Sequence, residues 1–387
     1  MALGPGDLKF RWSYGFDGSP IQPYADSSTS PLTSNKGGGI TANQLSGTLN
    51  EFFRAVKGTD TQSADFYDYN KVHVENTNAS LDLLNGGLYI SSKSSYSQDQ
   101  IAISIGLADE AYQVLNGGAG EFSQGREDYD EDTDSGTVAN SPYPRVTGTG
   151  SQIDDLRTTY SIDTSLLSAS GPVRMAFPAA ISNTVYVKLV GADSNNNIVV
   201  GYADGTTDGG TTPIAGATNV VFNTDRDGGG SDINITRILY ISVHNWDYDD
   251  NDYGGGTGHP TSVSATGLSG PEGYLDHVEL GTAADIPIQY NDGGGYDTIG
   301  TLRGGDAVTT GQVFVPAFYV ESDIDTTTEA LPLPTLGDSD ASNGFDQNEY
   351  GEQQQPHLAI WIRRKLDQTA ASSASVPNII TVFGDST

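Results

Sequence analysis

The sequence of 387 residues contains no cysteine, so neither disulfide bonds nor thiolate metal sites can hold its fold together. It is also poor in basic residues, because 18 Lys and Arg stand against 50 Asp and Glu and give a formal net charge of −32. Binding along a nucleic-acid backbone needs clustered basic side chains, so this imbalance disfavours a nucleic-acid partner. Stability must come from packing or from assembly.

Long apolar runs are missing too. No uninterrupted run approaches the roughly 20 apolar residues that a membrane-spanning helix needs. Residues 1–12 show no charged segment followed by an apolar one, so nothing predicts a secretory signal. We therefore expect a protein that is made in the cytoplasm and has no membrane span.

The sequence also lacks the common motifs of catalysis. It has no HExxH, no G-x-S-x-G, no phosphate-binding loop and no dinucleotide fingerprint, and its five histidines lack metal-ligand spacing. Among 50 acidic residues, a pair of carboxylates for glycoside hydrolysis can be chosen anywhere, so that signal carries no information. We expect a protein that is not an enzyme.

The acidic excess has two interpretations. Acidic side chains can simply keep a protein soluble. They are also typical of very salty surroundings, where dense screening weakens the self-repulsion of the fold. Only seven of the 18 basic residues are lysine, and this scarcity, with abundant Asp, Gly and Thr, favours a halophilic source.

Turn-forming residues dominate the chain, which has 48 glycines, and they predict a mainly β fold of short strands. Strands are predicted at residues 69–78, 88–90, 101–105, 217–223, 233–246, 274–280, 286–290, 313–322 and 379–387, and a hairpin at 184–203 around Asp193 to Asn197. The first three are expected to form one small antiparallel sheet.

The first of these strands alternates in polarity. Val72 and Val74 face one way, whereas Lys71, His73 and Glu75 face the other, which predicts a half-buried strand. One short helix is also predicted, beginning at a Thr41 cap and ending at Gly58. Its apolar positions recur at helical spacing: Leu45, Leu49, Phe52, Phe53 and Val56.

Segments from both ends of the chain resemble a family of structural proteins of tailed viruses. They are F-R-W-S-Y-G at 10–15, G-G-G-I at 37–40, a short helix, Y-x-x-V-x-V-x-N-T-N-A from Tyr69, I-x-I-G-L from Ile103, I-W-I-R-R-K-L at 360–366 and the terminal I-I-T-V-F-G-D-S-T at 379–387. The resemblance covers residues 8–110 and 355–387. It departs from the family at Asn70, where an arginine is expected, and residues 120–352 have no counterpart.

The resemblance implies two β-domains, the second inserted into the first. Residues 1–120 plus 353–387 would form a discontinuous domain that docks to the particle. Residues 121–352 would form an outward-facing antiparallel sandwich or jelly roll, with acidic flexible flanks at 117–141 and 326–355.

The function implied is that of a virion protein, assembled in the cytoplasm of a halophilic archaeal host. It would be a symmetric homo-oligomer that contacts other virion proteins as a turret, spike or decoration of the capsid. The alternatives are a tail or baseplate component, a receptor module that binds host-surface glycans, and a secreted hydrolase.

Two candidate sites lie in one acidic loop. Asp247, Asp249, Asn251 and Asp252 follow a predicted strand and offer the oxygen ligands that calcium or magnesium prefers, although no loop completes an EF-hand pattern. Trp246, Tyr248 and Tyr253 could stack on sugars. A solvated turn and ordinary aromatic packing are the alternatives. No other cofactor is expected.

A third candidate is an interface formed by Trp361, Arg363 and Arg364, an unusual basic pair in an acidic chain. Arginine would reach an acidic residue of a neighbouring subunit, and Trp361 would anchor the contact. The alternative is a surface pair that solubilises an edge strand.

Overall fold

The computed structural model describes residues 3–4, 6–13, 40–45, 53, 66–92, 98–106, 113–115, 162–167, 170–177, 186–202, 218–224, 230–244, 277–278, 286–302, 309–310, 312–339, 348–351, 354–368 and 378–386. Within these residues the chain is mainly β, and nearly all strand pairs are antiparallel, which confirms the predicted class. The helical element of this part is a single 3-10 turn, Thr164–Leu166. None of the described residues form a helix that is long and apolar enough to cross a bilayer.

The strands are numbered in chain order. They are β1 (Leu8–Ser13), β2 (Ile40–Gln44), β3 (Phe66–Asn76), β4 (Leu83–Ser92), β5 (Asp99–Ile105), β6 (Gln113–Leu115), β7 (Val173–Phe177), β8 (Tyr186–Ala192), β9 (Ile198–Tyr202), β10 (Thr218–Val221), β11 (Arg237–His244), β12 (His277–Val278), β13 (Ile286–Asn291), β14 (Tyr296–Leu302), β15 (Thr309–Thr310), β16 (Gln312–Pro316), β17 (Tyr319–Val320), β18 (Leu331–Pro332), β19 (His357–Leu366) and β20 (Ile379–Ser386).

The chain divides into two compact units. Unit 1 consists of Met1–Glu110, Phe318–Asn343 and Gln354–Thr387, and unit 2 consists of Ala111–Ala317 and Gly344–Gln353. Unit 1 contains a six-stranded sheet, β17-β5-β19-β3-β1-β2, and a three-stranded sheet, β18-β4-β20. Unit 2 contains sheets β10-β7-β13-β14, β6-β16-β11-β8-β9 and β12-β15.

The boundaries differ from those predicted at the second crossing. Residues 318–343 belong to unit 1 rather than to the inserted region. Leu331, Leu333 and Leu336 are buried there, and β18 pairs with β4, so the prediction of a flexible flank is wrong for residues 326–339. Apolar residues within an acidic stretch anchor it. The other predicted flank, 117–141, lies outside the described residues.

A strand from the first part of the sequence pairs with a strand from the last part in the centre of the six-stranded sheet of unit 1. β19 pairs antiparallel with β3 over ten positions, from His357 opposite Glu75 to Leu366 opposite Phe66, and its other edge pairs with β5. The core of this sheet contains Val72, Val74, Ile103, Ile105, Leu358, Ile360 and Ile362. β19 is therefore a central strand, and the interpretation of an edge strand is wrong.

The first three predicted strands do not share one sheet. β3 and β5 both flank β19, whereas β4 pairs with β20, the last strand of the chain, in the three-stranded sheet. Alternation reveals which face of a strand is apolar but not which strand lies beside it. The partner of β4 comes from the far end of the sequence, where no local signal could point to it.

The predicted helix start is also wrong. Ile40–Gln44 is strand β2, and its pairing with β1 places Gln44 opposite Arg11 and Ile40 opposite Ser13. Thr41 therefore lies within a strand rather than at a helix cap. The helically spaced positions begin at Leu45, after the end of β2, and a cap at Thr41 is incompatible with the pairing of this strand. Most of the positions up to Gly58 lie outside the described residues.

Unit 2 confirms the predicted hairpin, because β8 and β9 pair around Asp193–Asn197. β11 lies between β8 and β16 at the centre of the five-stranded sheet. The single strand predicted at 313–322 is divided into β16 of unit 2 and β17 of unit 1. Of the strand predicted at 274–280, the structure describes His277–Val278, which are in strand conformation.

Candidate functional site

Trp361 lies on β19 opposite Lys71 of β3 and Ser104 of β5. All three side chains are completely buried within the chain. The interface role predicted for Trp361 requires an exposed ring, and the structure places this ring in the interior of unit 1. Trp361 therefore stabilises the sheet from which it projects.

Arg364 has an acidic partner in its own chain. Its Nε donates to Oδ1 of Asp99 at 2.8 Å, and its Nη2 donates to Oδ2 at 2.6 Å. Both side chains are about one-fifth exposed. The guanidinium also lies 6.0 Å from the ring centroid of Phe53. This bidentate pair joins β5 to β19 within one chain. The predicted interface instead gives this arginine an acidic partner in a neighbouring subunit.

Arg363 contacts an aromatic ring instead. Its guanidinium carbon lies 4.8 Å from the ring centroid of Phe318, the buried residue at which the chain enters unit 1 for the second time. The geometry is that of a cation–π contact. Within the described residues, Nε of Arg363 is buried and has no hydrogen-bond partner. Arg363 and Arg364 thus have separate roles inside unit 1.

The predicted polar face of β3 is buried. Lys71 and His73 are both fully inaccessible, so the prediction of a half-buried strand is wrong. The ring of His73 packs edge-on against His357 at a centroid distance of 5.8 Å. On the same face, Nε of Arg11 donates to Oε2 of Glu75 at 2.6 Å. The alternation was read correctly, but the covering of the second face depends on distant parts of the fold.

The Asn-Thr-Asn segment after β3 joins several parts of unit 1. Nδ2 of Asn76 donates to the carbonyls of Leu81 (2.8 Å), Leu336 (3.4 Å) and Gly337 (3.0 Å), and its backbone N–H donates to the carbonyl of Pro356. Both N–H and Oγ1 of Thr77 donate to the carbonyl of Asp7. A buried amide can satisfy several carbonyls at once, so this motif has a structural role.

The strands of the three-stranded sheet of unit 1 contain a single charged residue, Asp385 of β20. Ile379 at the start of β20 is 50% exposed and is the large apolar side chain most exposed among the described residues. Thr381 Oγ1 lies 2.7 Å from the exposed Ser91 Oγ, and the ring of Phe383 packs edge-on against Tyr89. A Cβ on Gly87 would lie 2.5 Å from the Phe383 ring, so this glycine gives the ring its place on the sheet.

Unit 2 contains a buried lysine. Nζ of Lys188 on β8 donates to the carbonyl of Tyr350 at 3.2 Å and lies 5.8 Å from the ring centroid of Tyr240 on β11. Tyr350 packs edge-on against Tyr240, and its N–H donates to Oδ1 of Asn348. A segment late in the sequence therefore completes the packing of β8 and β11.

The hairpin of unit 2 is closed by Asp193. Its Oδ1 accepts the N–H groups of Asn195 and Asn197, and its Oδ2 accepts from Nδ2 of Asn197. Burial raises the pKa of this carboxyl, but the hydrogen bonds from Asn197 and Asn195 outweigh burial, and the pKa is lowered from 3.8. The same bonds explain why D-S-N-N-N forms the turn.

The predicted cation ligands Asp247, Asp249, Asn251 and Asp252 lie outside the described residues, as do Trp246, Tyr248 and Tyr253 of the predicted sugar site. Both sites remain predictions. Among the residues that the structure describes, no group of three or more His, Cys, Asp or Glu side chains is placed to hold a metal ion.

Comparisons with protein-family models, with curated proteins and with solved structures found no match. The resemblance to tailed-virus proteins therefore depends on the quoted residues alone. Several of those residues now have a physical role, because Asn76 and Thr77 fasten the end of β3 and Arg364 fastens β19. The resemblance places the segments of β3 and β19 in one domain, but nothing in the sequence indicates the burial of Lys71.

Proposed function

We propose that this chain is a structural, non-enzymatic component of a tailed-virus particle, with a halophilic archaeal host, at the capsid surface. The observation that carries the proposal is the pairing of β3 with β19 over ten positions. These strands contain the two most specific segments of the resemblance, and they come from opposite ends of the chain. A domain closed by both ends can accept a large insertion without losing its core.

Charge and composition support the same proposal. A net charge of −32 suits a protein that faces a salty medium, and it disfavours contact with packaged nucleic acid. Lys71 and Lys188 are buried, so two of the seven lysines do not contribute to the surface. Repeated sites on a particle require many identical copies, which agrees with a symmetric oligomer.

A tail or baseplate location is the alternative, together with a receptor module that binds host glycans through Trp246, Tyr248 and Tyr253. Immunogold labelling of intact particles with an antibody against the chain separates these locations. Labelling over the capsid is the expected result, labelling confined to the tail supports the alternative, and unlabelled particles overturn the proposal. Binding of particles to glycans that is lost in Trp246→Ala would support the receptor role.

A further inference from the structure

The last strand of the chain forms one edge of the three-stranded sheet. β20 pairs with β4 along one side, and no described strand pairs with its other side. Strand edges present unpaired N–H and C=O groups that accept another extended strand, and long apolar edges are usually blunted by charges, proline or bulges. Here residues 379–384 are I-I-T-V-F-G, without charge or proline. The ladder with β4 shifts register between Ile379 and Ile380 and between Phe383 and Asp385, and it is regular from Ile380 to Phe383.

The lack of charge extends across the sheet. β4 contains no charged residue, and β20 contains only Asp385, although charged residues make up 18% of the chain. Two molecules that each have a net charge of −32 repel one another over most of their surfaces. On this sheet, whose strands contain one charged residue, two copies can approach at a lower electrostatic cost than across strongly acidic surface.

We propose that β20 pairs antiparallel with β20 of a second copy, around a twofold axis at Thr381, and so joins two three-stranded sheets into one. The twofold axis is perpendicular to the sheet, and rotation about it does not turn either sheet over. The exposed faces of the two sheets therefore lie on the same side of the joined sheet. The partner is therefore a second copy of this chain, and the paired β20 strands are the contact between subunits of the proposed oligomer. The biological role of this contact rests on the proposed function.

The register follows from the alternation of side chains. Ile379, Thr381 and Phe383 lie on one face of β20, and residues directly opposite in an antiparallel ladder share a face. An axis at Thr381 places Ile379 of each copy opposite Phe383 of the other and buries the exposed isoleucine. Parallel pairing in register would instead place Asp385 against Asp385, and like charges directly opposite are destabilising.

The absence of cysteine makes the register testable. In Thr381→Cys the 387-residue chain has a single thiol, and two such thiols meet at the axis. Opposite residues of an antiparallel pair have Cα atoms about 4.5 or 5.5 Å apart, within the ~4.4–6.8 Å that disulfides span. Ser322→Cys is the matched control, because Ser322 is an exposed residue of unit 1 outside β20 and outside the proposed axis.

The experiment combines light scattering with mild oxidation in roughly 2 to 3 M salt, where screening is nearly complete. We expect the wild type to form a dimer or a larger even-numbered oligomer. Oxidation should link Thr381→Cys into covalent dimers about tenfold faster than Ser322→Cys, because only the first thiol meets its copy at bonding distance. Ile379→Asp should lower the fraction of oligomer, and an unchanged circular dichroism spectrum should show that the variant is still folded.

Two results would overturn the inference: a monomer at every concentration, or an oligomer that survives Ile379→Asp while Thr381→Cys cross-links no faster than the control. The second result leaves the particle function standing with a different contact. Conversely, a cross-linked β20 pair in a protein that is absent from particles overturns the function and retains the contact.

Discussion

Arg364 and Asp99 form a bidentate ion pair that fastens β19 to β5, two strands that come from opposite ends of the chain. In this ladder Arg364 lies opposite Ile101, and Asp99 lies opposite Leu366. The ion pair therefore runs diagonally across the end of the ladder. It therefore resists fraying at the point where the C-terminal segment closes unit 1.

Loss of this pair should lower the free energy of unfolding of unit 1. We expect Arg364→Ala to cost about 2 kcal/mol and Arg364→Lys about 1 kcal/mol, since lysine keeps the charge but loses the bidentate geometry. Urea unfolding measures both. The adjacent Lys365→Ala is the control, because its contact with Asp367 is longer, at 3.4 Å, and more exposed, and it should cost under about 0.5 kcal/mol. Equal effects at 364 and 365 would contradict this account.

Asn76 should be more important to stability than its short polar side chain suggests. Asn76→Ala removes the side-chain donor to the carbonyls of Leu81 and Gly337 and a longer contact to Leu336, whose carbonyl also accepts the N–H of Leu83, and we expect a cost of about 2–4 kcal/mol. Asn78→Ala, which loses a partly exposed bond to Asp7 and an exposed bond from the N–H of Ser80, should cost about 1 kcal/mol or less. Chemical denaturation ranks the two variants, and a smaller effect at Asn76 than at Asn78 would refute the structural role.

Tyr350 should stabilise unit 2 selectively. It is fully buried, and Tyr350→Ala removes its packing against Tyr240, at an expected cost of about 3–5 kcal/mol. Hydrogen exchange followed by mass spectrometry should show faster exchange in β8 and β11 and unchanged exchange in β3 and β19. Asn219→Ala, at an exposed position of β10, should leave both units unchanged. Faster exchange in β3 and β19 alone would show that Tyr350 belongs to the other unit.

The Asp193 turn should weaken in acid. Its folded-state pKa lies below 3.8, so its contribution to stability is present above pH 3.8 and is lost as the pH falls through the folded-state pKa. An NMR titration of the Asp193 side chain should therefore give a midpoint below 3.8. Asp193→Asn should remove this pH dependence from the amide protection of β8 and β9. A midpoint above 3.8 would contradict the hydrogen bonding described here.

The sequence predicted the strands better than the sheets. Alternation located β3, β5, β8 and β11, because each strand repeats its polarity locally. It placed β4 in the wrong sheet, since the choice of neighbour depends on β20 at the far end of the chain. The predicted helix start at Thr41 is wrong for the same reason, because β2 pairs with β1, a strand distant in the sequence.

The chemistry of a side chain can be read from the sequence, but its burial cannot. Trp361, Arg363 and Arg364 were identified as unusual, and each has a specific contact. Their contacts lie within one chain rather than between subunits. Lys71 and His73 were assigned to solvent because they are polar, and nothing local in the sequence indicates that a second layer covers them. Burial is a property of the whole fold, so it could not be predicted at these positions.

The most direct test of the proposed function is the copy number of this chain in purified particles. Quantitative mass spectrometry of particles washed in high salt, with a capsid protein as internal standard, gives the ratio of the two proteins. We predict a fixed ratio across independent preparations, as symmetric attachment requires. A variable ratio, or loss of the chain on washing, would contradict a structural role in the particle.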